Sequence, residues 1–154
     1  MTTALQSSVP TRLKGLGLRC LKVVVLAVAM GAADAVFAGS HTNSATGNWS
    51  ADGSWTGGKP AAGGTPDAVI VFNPAGVDNS VNDLSGSFTL NRMEFTAGTV
   101  TLSGNPLAFT NNGAAAPRMT NVGGSATVIS NNIALNSDTV FHAANNITSY
   151  GVLS

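Results

Sequence analysis

The sequence predicts an all-β chain wound as a right-handed parallel β-helix. Three observations carry this. Short apolar strands closed by serine recur at Leu102-Ser103, Ile129-Ser130 and Leu153-Ser154, at intervals of 27 and 24 residues. A recurrence of that size marks a stacked repeat. The stretches between them hold strands of three to five residues with apolar side chains at i and i+2, separated by Gly, Asn and Pro. From residue 39 onward no run combines helical spacing with good helix formers, and Ala114-Ala115-Ala116 is cut short by Pro117.

The first 38 residues stand apart. Arg12, Lys14, Arg19 and Lys22 precede an apolar run, Val23 to Ala33, and Val36-Phe37-Ala38 offers small residues where an export peptidase reads them. We expect a signal peptide over 1–38, cleaved between Ala38 and Gly39. The apolar run is short of the roughly 20 residues a membrane span needs. Cys20, the single cysteine, lies before that run, which disfavours lipidation and leaves residues 39–154 without a disulfide. A small exported domain lacking staples needs another source of stability, and coil stacking supplies one. Residues 39–154 carry Lys59, Arg92 and Arg118 against six acidic residues, a net charge of −3. No basic patch suits nucleic acid.

Residues 39–66 form a Gly- and Trp-rich block with Asn48-Trp49 and Gly53-Ser54-Trp55 among turn formers, expected to cap the N-terminal end. Residues 67–154 are the expected β-helix segment, expected to be incomplete at its C-terminus. Ala68-Val69-Ile70-Val71-Phe72 is a continuous apolar run between Pro66-Asp67 and Asn73-Pro74, too short for a helix and rich in β-branching. Phe88-Thr89-Leu90, Met93-Glu94-Phe95, Val100-Thr101-Leu102 and Leu107-Ala108-Phe109 follow. Met119 to Val122, Thr127 to Ile129, Ile133 to Leu135, Thr139 to Phe141, Ile147-Thr148 and Val152-Leu153 continue the series. A sandwich built on Asp52-Gly53 and Asn112-Gly113 hairpins is the competing fold. The match of Thr101 to Leu107 with Val128 to Ile133 favours the solenoid. The expected inward residues are Ile70, Phe72, Leu90, Phe95, Leu102, Leu107, Phe109, Val128, Ile133, Leu135, Val140 and Ile147. Turn asparagines are expected to ladder from coil to coil through their side-chain amides.

Chemistry is sparse. His41 and His142 lie far apart and have no metal-ligand spacing around them, so they read as surface residues and no metal or other cofactor is expected. Asp52, Asp67, Asp78 and Asp83 sit beside turn formers. No Gly-x-Ser-x-Gly elbow or phosphate loop is present. Trp49 and Trp55 allow two roles: a stacking platform for sugar rings, or a buried cap over the first coil. The cap is preferred because large aromatics are mostly buried.

The block Asn48-Trp49, Gly53-Ser54-Trp55, Pro60 and Asp67-Ala68 running into Phe72, followed by Leu-Ser-Gly and Ile-Ser-Asn-Asn alternation, resembles the bacterial autotransporter-associated β-strand repeat proteins. The likeness spans residues 45–154. It implies an exported, non-enzymatic passenger segment, at the cell surface, secreted or periplasmic, structural or adhesin-like, whose partners are host or matrix glycans or proteins. The family's C-terminal barrel strands have no counterpart here, so an outer-membrane translocator is not expected within this chain. Two alternatives stand beside this: a carbohydrate-binding or carbohydrate-active β-helix of pectin-lyase type, with its base drawn from Lys59, Arg92 or Arg118, and a fragment without independent function.

Overall fold

The computed structural model describes residues 39–154, so the expected export segment and its cleavage point at Ala38 lie outside the described residues. Gly39 is the first described residue and opens the first strand. The described chain is a β-solenoid of stacked parallel coils, each turning through three sheets.

Sheet A contains β1 (Gly39–Asn43), β4 (Ala68–Phe72), β7 (Arg92–Phe95), β10 (Arg118–Asn121) and β13 (Val140–Ala143), all paired in parallel. Sheet B stacks β2 (Gly47–Asn48), β5 (Val77–Asn82), β8 (Thr99–Gly104), β11 (Thr127–Ile129) and β14 (Ile147–Ser149). Sheet C holds β6 (Phe88–Leu90), β9 (Leu107–Phe109) and β12 (Ile133–Leu135), with Leu153 bridging to Ile133. One strand breaks the parallel rule. β3 (Trp55–Thr56) runs antiparallel along β1 and closes the N-terminal edge of sheet A. An exposed edge offers unpaired backbone groups to other chains, and this strand covers one.

Side chains stack in columns because successive strands pair in register. Ile70, Met93, Met119 and Phe141 form one inward column. Ser80, Leu102, Ile129 and Ser149 form another, and Phe88, Leu107 and Ile133 a third. Phe72 lies stacked on Phe95 with ring centroids 5.1 Å apart. A single coil cannot enclose these side chains, so each coil is stabilised by its neighbours. A fully buried residue of this size contributes about 1.5–3 kcal/mol.

The matched recurrence needs one correction. Leu102 and Ile129 do face each other in sheet B. Leu153 does not continue their column: Ile129 pairs with Ser149, and Leu153 pairs with Ile133 in sheet C. The interval varies because the corners absorb insertions. Ile70 to Met93 is 23 residues and Met93 to Met119 is 26, the longer coil carrying the Asn111–Pro117 loop. Parity also shifts at two expected core positions. Thr127 and Ile129 point inward, so Val128 between them is only half-buried. Val140 is 46% exposed, while its neighbour Phe141 stands in the Met119 column. Met93 and Met119 are core residues that the apolar pattern of their strands implies. Leu135 and Ile147 pack at the margin of the core.

Asparagines at the corners fasten successive coils. Between sheets B and C, the Asn105 carbonyl accepts from Asn82 Nδ2 at 3.1 Å and from Asn131 Nδ2 at 2.7 Å. Asn105 Nδ2 donates to the Leu84 carbonyl at 2.6 Å. Between sheets C and A, Asn91 Nδ2 donates to the carbonyls of Thr110 and Ala115 at 2.9 and 3.0 Å. The expected ladder therefore exists, but it runs from side-chain amides to backbone carbonyls. A side chain that donates to main chain can tie coils of unequal length, where an amide-to-amide stack needs strict register.

Candidate functional site

Three places combine polar groups or aromatics in ways the stacked core does not require: the tryptophan block, a buried carboxylate behind it, and the outer flank of sheet A.

The tryptophan block forms because Asp52–Ser54 makes one tight 3₁₀ turn that brings Trp55 back onto Trp49. The indoles meet edge to face with centroids 5.5 Å apart, and Trp49 meets Phe88 at 5.0 Å in the same geometry. Trp49 Nε1 donates to Ser80 Oγ at 2.9 Å, and Trp55 Nε1 donates to the Trp49 carbonyl at 3.0 Å. Trp49 is wholly buried and Trp55 is 7% exposed. Neither ring presents a face on which a sugar could stack, so the two expected glycan contacts are core residues filling the N-terminal end. A clamp holds the block down. Ser50 donates to Asp83 through its backbone N–H at 2.8 Å and through its hydroxyl at 2.5 Å. These bonds hold the Asp83 carboxyl below its ordinary range. Lys59 bridges to Asp52 at 3.2 Å and donates to the Ser50 carbonyl at 3.0 Å.

Asp78 lies directly behind this block. It occupies the inward position of β5 that Val100 and Thr127 occupy in the next two coils. The residue is wholly buried, and among the described residues neither oxygen has a donor in hydrogen-bonding geometry. Burial pushes its pKa up, offset in part by the nearby Thr46 hydroxyl. A carboxylate removed from water without a partner is destabilised in its charged form.

The flank of sheet A is built by register. Alternate residues of β7, β10 and β13 point outward, which places Arg92, Arg118 and Val140 in one row and Glu94, Thr120 and His142 in the next. Rows cross strands spaced by about 4.8 Å. Glu94, Arg118, Thr120, Val122, Val140 and His142 line a groove of about 470 Å³. Arg92 Nε stands 3.9 Å from Glu94 Oε1, longer than a hydrogen bond, so the carboxylate keeps acceptor capacity. Among the described residues the side chains of Arg118 and His142 have no hydrogen-bond or ion-pair partner. Of the three basic residues considered from sequence, the structure brings Arg92 and Arg118 together and leaves Lys59 at the N-terminal block. The groove as a unit is not apparent from composition. Its signal is the pair Arg92-Met93-Glu94 and Arg118-Met119-Thr120, which superposes once the two methionines are aligned as one column.

At the other end, Met119, Ile129, Phe141, Ile147 and Leu153 surround an apolar hollow of about 360 Å³ inside the last coil. Among the described residues no three of His, Cys, Asp or Glu converge as metal ligands. Comparison with protein-family models, with curated proteins and with solved structures gives no match.

Proposed function

We propose that the chain is a non-enzymatic, rigid scaffold segment of an exported bacterial surface protein, of the autotransporter-passenger kind its tryptophan block and serine-closed strands resemble. The observation that carries this is the unbroken parallel ladder over three sheets, in which every coil is tied to the next by stacked core columns and corner asparagines. Such a stack distributes load along its axis and presents long regular flanks to the outside. The basic and apolar pattern of residues 1–38 supports export.

Surface labelling and protease treatment of intact cells test both halves together. Lys59 is the sole lysine after residue 38 and its side chain is 44% exposed, so a membrane-impermeant amine reagent should reach it. Arg92 and Arg118, the only arginines after residue 38, lie within strands, so trypsin should leave the labelled chain intact. A chain that labels only after cell lysis contradicts display at the cell surface. A labelled chain cut at both arginines contradicts the rigid stack.

A further inference from the structure

We propose that the first coil, residues 39–56, is a proton-controlled cap: it stays closed over the second coil while Asp78 carries a proton, and opens more often once Asp78 is ionised. Three features of the N-terminal end lead there. This coil is held from one side only, whereas an interior coil has two neighbours. In sheet B just two residue pairs tie it down, Gly47 with Ser80 and Asn48 with Val81. Above Asp78 the chain is a bend over residues 44–46 rather than a strand. A joint follows the coil. Gly57 and Gly58 have φ +85° and +96°, and a Cβ at either would meet nothing within 4 Å, so no packing resists rotation there. The chain is fixed again at Gly63, whose carbonyl accepts from the Thr89 amide at 2.8 Å.

The face that the coil covers is polar. The inward residues of β5 are Asp78, Ser80 and Asn82, all wholly buried, where β8 offers Val100 and Leu102. Ser80 accepts from Trp49 Nε1 and Asn82 donates to the Asn105 carbonyl, but among the described residues neither Asp78 oxygen meets a donor. Thr46 straddles Asp78, its hydroxyl accepting from the Asn79 amide at 3.2 Å and donating to the Val77 carbonyl at 3.5 Å. Asn43 ends β1, wholly buried, with neither side-chain amide atom in a hydrogen bond. Its column runs through Phe72 and Phe95 to Asn121, which donates across the corner to the Asn146 carbonyl at 3.3 Å. Asn146 precedes Ile147, the last residue of the Asp78 column, so Asn43 and Asp78 share one corner. Opening the coil gives both groups water, and an ionised carboxylate gains most from it.

Burial raises the Asp78 pKa in the closed coil. Closure is therefore strongest below the ordinary carboxylate range and weakens as pH rises through the raised value. The neighbouring elements bring no competing charge to that corner: β4 presents Phe72 and β8 presents Val100. His41 shares the inward side of β1 but meets the Gly58 carbonyl at 2.9 Å. Lys59 lies outside on Asp52. Asp83, held below its ordinary range by Ser50, loosens only in stronger acid. An open cap bares the edges of β4 and β5, and a bared edge accepts another strand. This device is independent of export and of the scaffold role.

Hydrogen exchange of the full chain from pH 4 to pH 7, followed by nuclear magnetic resonance and corrected for intrinsic rates, tests it. The Trp49 amide donates to the Val81 carbonyl and the Asn73 amide to the Asn43 carbonyl, both at 2.9 Å, so both report the cap. The Ser130 amide, on the Leu102 carbonyl, reports an interior coil. Trp49 and Asn73 should exchange faster than Ser130 throughout, with a smaller denaturant dependence because less surface opens. Their opening should grow severalfold across the range and level off as the Asp78 carboxyl carbon shift completes its titration. Asp78→Asn should abolish the growth, and His41→Gln should keep it. Four results overturn the proposal: no growth, cap and interior amides opening together, a midpoint that differs from the Asp78 titration, or growth that persists in Asp78→Asn.

Discussion

Replacing Asp78 by Asn should stabilise the protein at neutral pH and leave it unchanged in acid. Asp78 is enclosed, with neither oxygen in hydrogen-bonding geometry to a donor among the described residues, and its pKa is raised by burial. A folded-state pKa above the unfolded value means that the native chain prefers the protonated acid. Stability is then complete below the ordinary carboxylate range and declines as pH rises through the raised folded value. The amide cannot ionise and escapes that decline. An unmatched buried polar group costs about 1–3 kcal/mol and a charged one more, while the amide still needs partners of its own. The net gain at pH 7 is on the order of 1–2 kcal/mol, which for about 116 ordered residues is roughly 4–8 °C in melting temperature. Thermal unfolding followed by circular dichroism from pH 3 to pH 8 gives the result directly. The two proteins should melt together at the acid end and separate as pH rises. Equal or lower stability of Asp78→Asn at pH 7, or a separation that persists in acid, would refute the reasoning.

Two other substitutions probe separate parts of the fold. Asp83→Asn removes the carboxylate that Ser50 holds below its ordinary range. A lowered folded pKa stabilises above the ordinary carboxylate range and loses that effect as pH falls, so this variant should melt lower at pH 7, by less than about 1 kcal/mol at so exposed a site, and match the parent in strong acid. Gly104 has φ +101°, and a Cβ there would lie 2.3 Å from the Asn82 carbonyl oxygen in the coil below. Gly104→Ala should cost about 1–3 kcal/mol in equilibrium denaturation. Gly53→Ala, where nothing lies within 4 Å, should stay within about 0.5 kcal/mol.

The solenoid was legible in the sequence because its repeating unit is a short alternating strand, and alternation survives in local order. Leu102 and Ile129 could be matched since each is followed at once by Ser and, two residues later, by Asn, in Leu102-Ser103-Gly104-Asn105 and Ile129-Ser130-Asn131-Asn132. Leu153 could not be placed by interval alone, because the final coil is shorter and its residue falls in a different sheet. Parity failed at Val128 and Val140 for a related reason. Thr127-Val128-Ile129 and Thr139-Val140-Phe141 each offer an apolar side chain in either phase, and only the neighbouring coil decides which faces inward. The core alignment of Thr127 with Val100, and of Met119 with Phe141, supplies that decision. The burial of the two tryptophans followed from their size. The clamp of Ser50 on Asp83 did not, since those residues are 33 apart and meet only when the first coil closes. The sheet A groove was hidden for the same reason: its residues belong to three coils, and composition shows only that cations are few.

The central claim is parallel stacking in one register, and hydrogen-bond scalar couplings in nuclear magnetic resonance test it most directly. The Ser130 amide donates to the Leu102 carbonyl at 2.8 Å, and the Tyr150 amide donates to the Ile129 carbonyl at 2.8 Å. Couplings from the Ser130 nitrogen to the Leu102 carbonyl carbon and from the Tyr150 nitrogen to the Ile129 carbonyl carbon are the predicted result. Couplings that instead join Leu102 to Leu107, or Ile129 to Ile133, as in antiparallel hairpins of a sandwich, would contradict it.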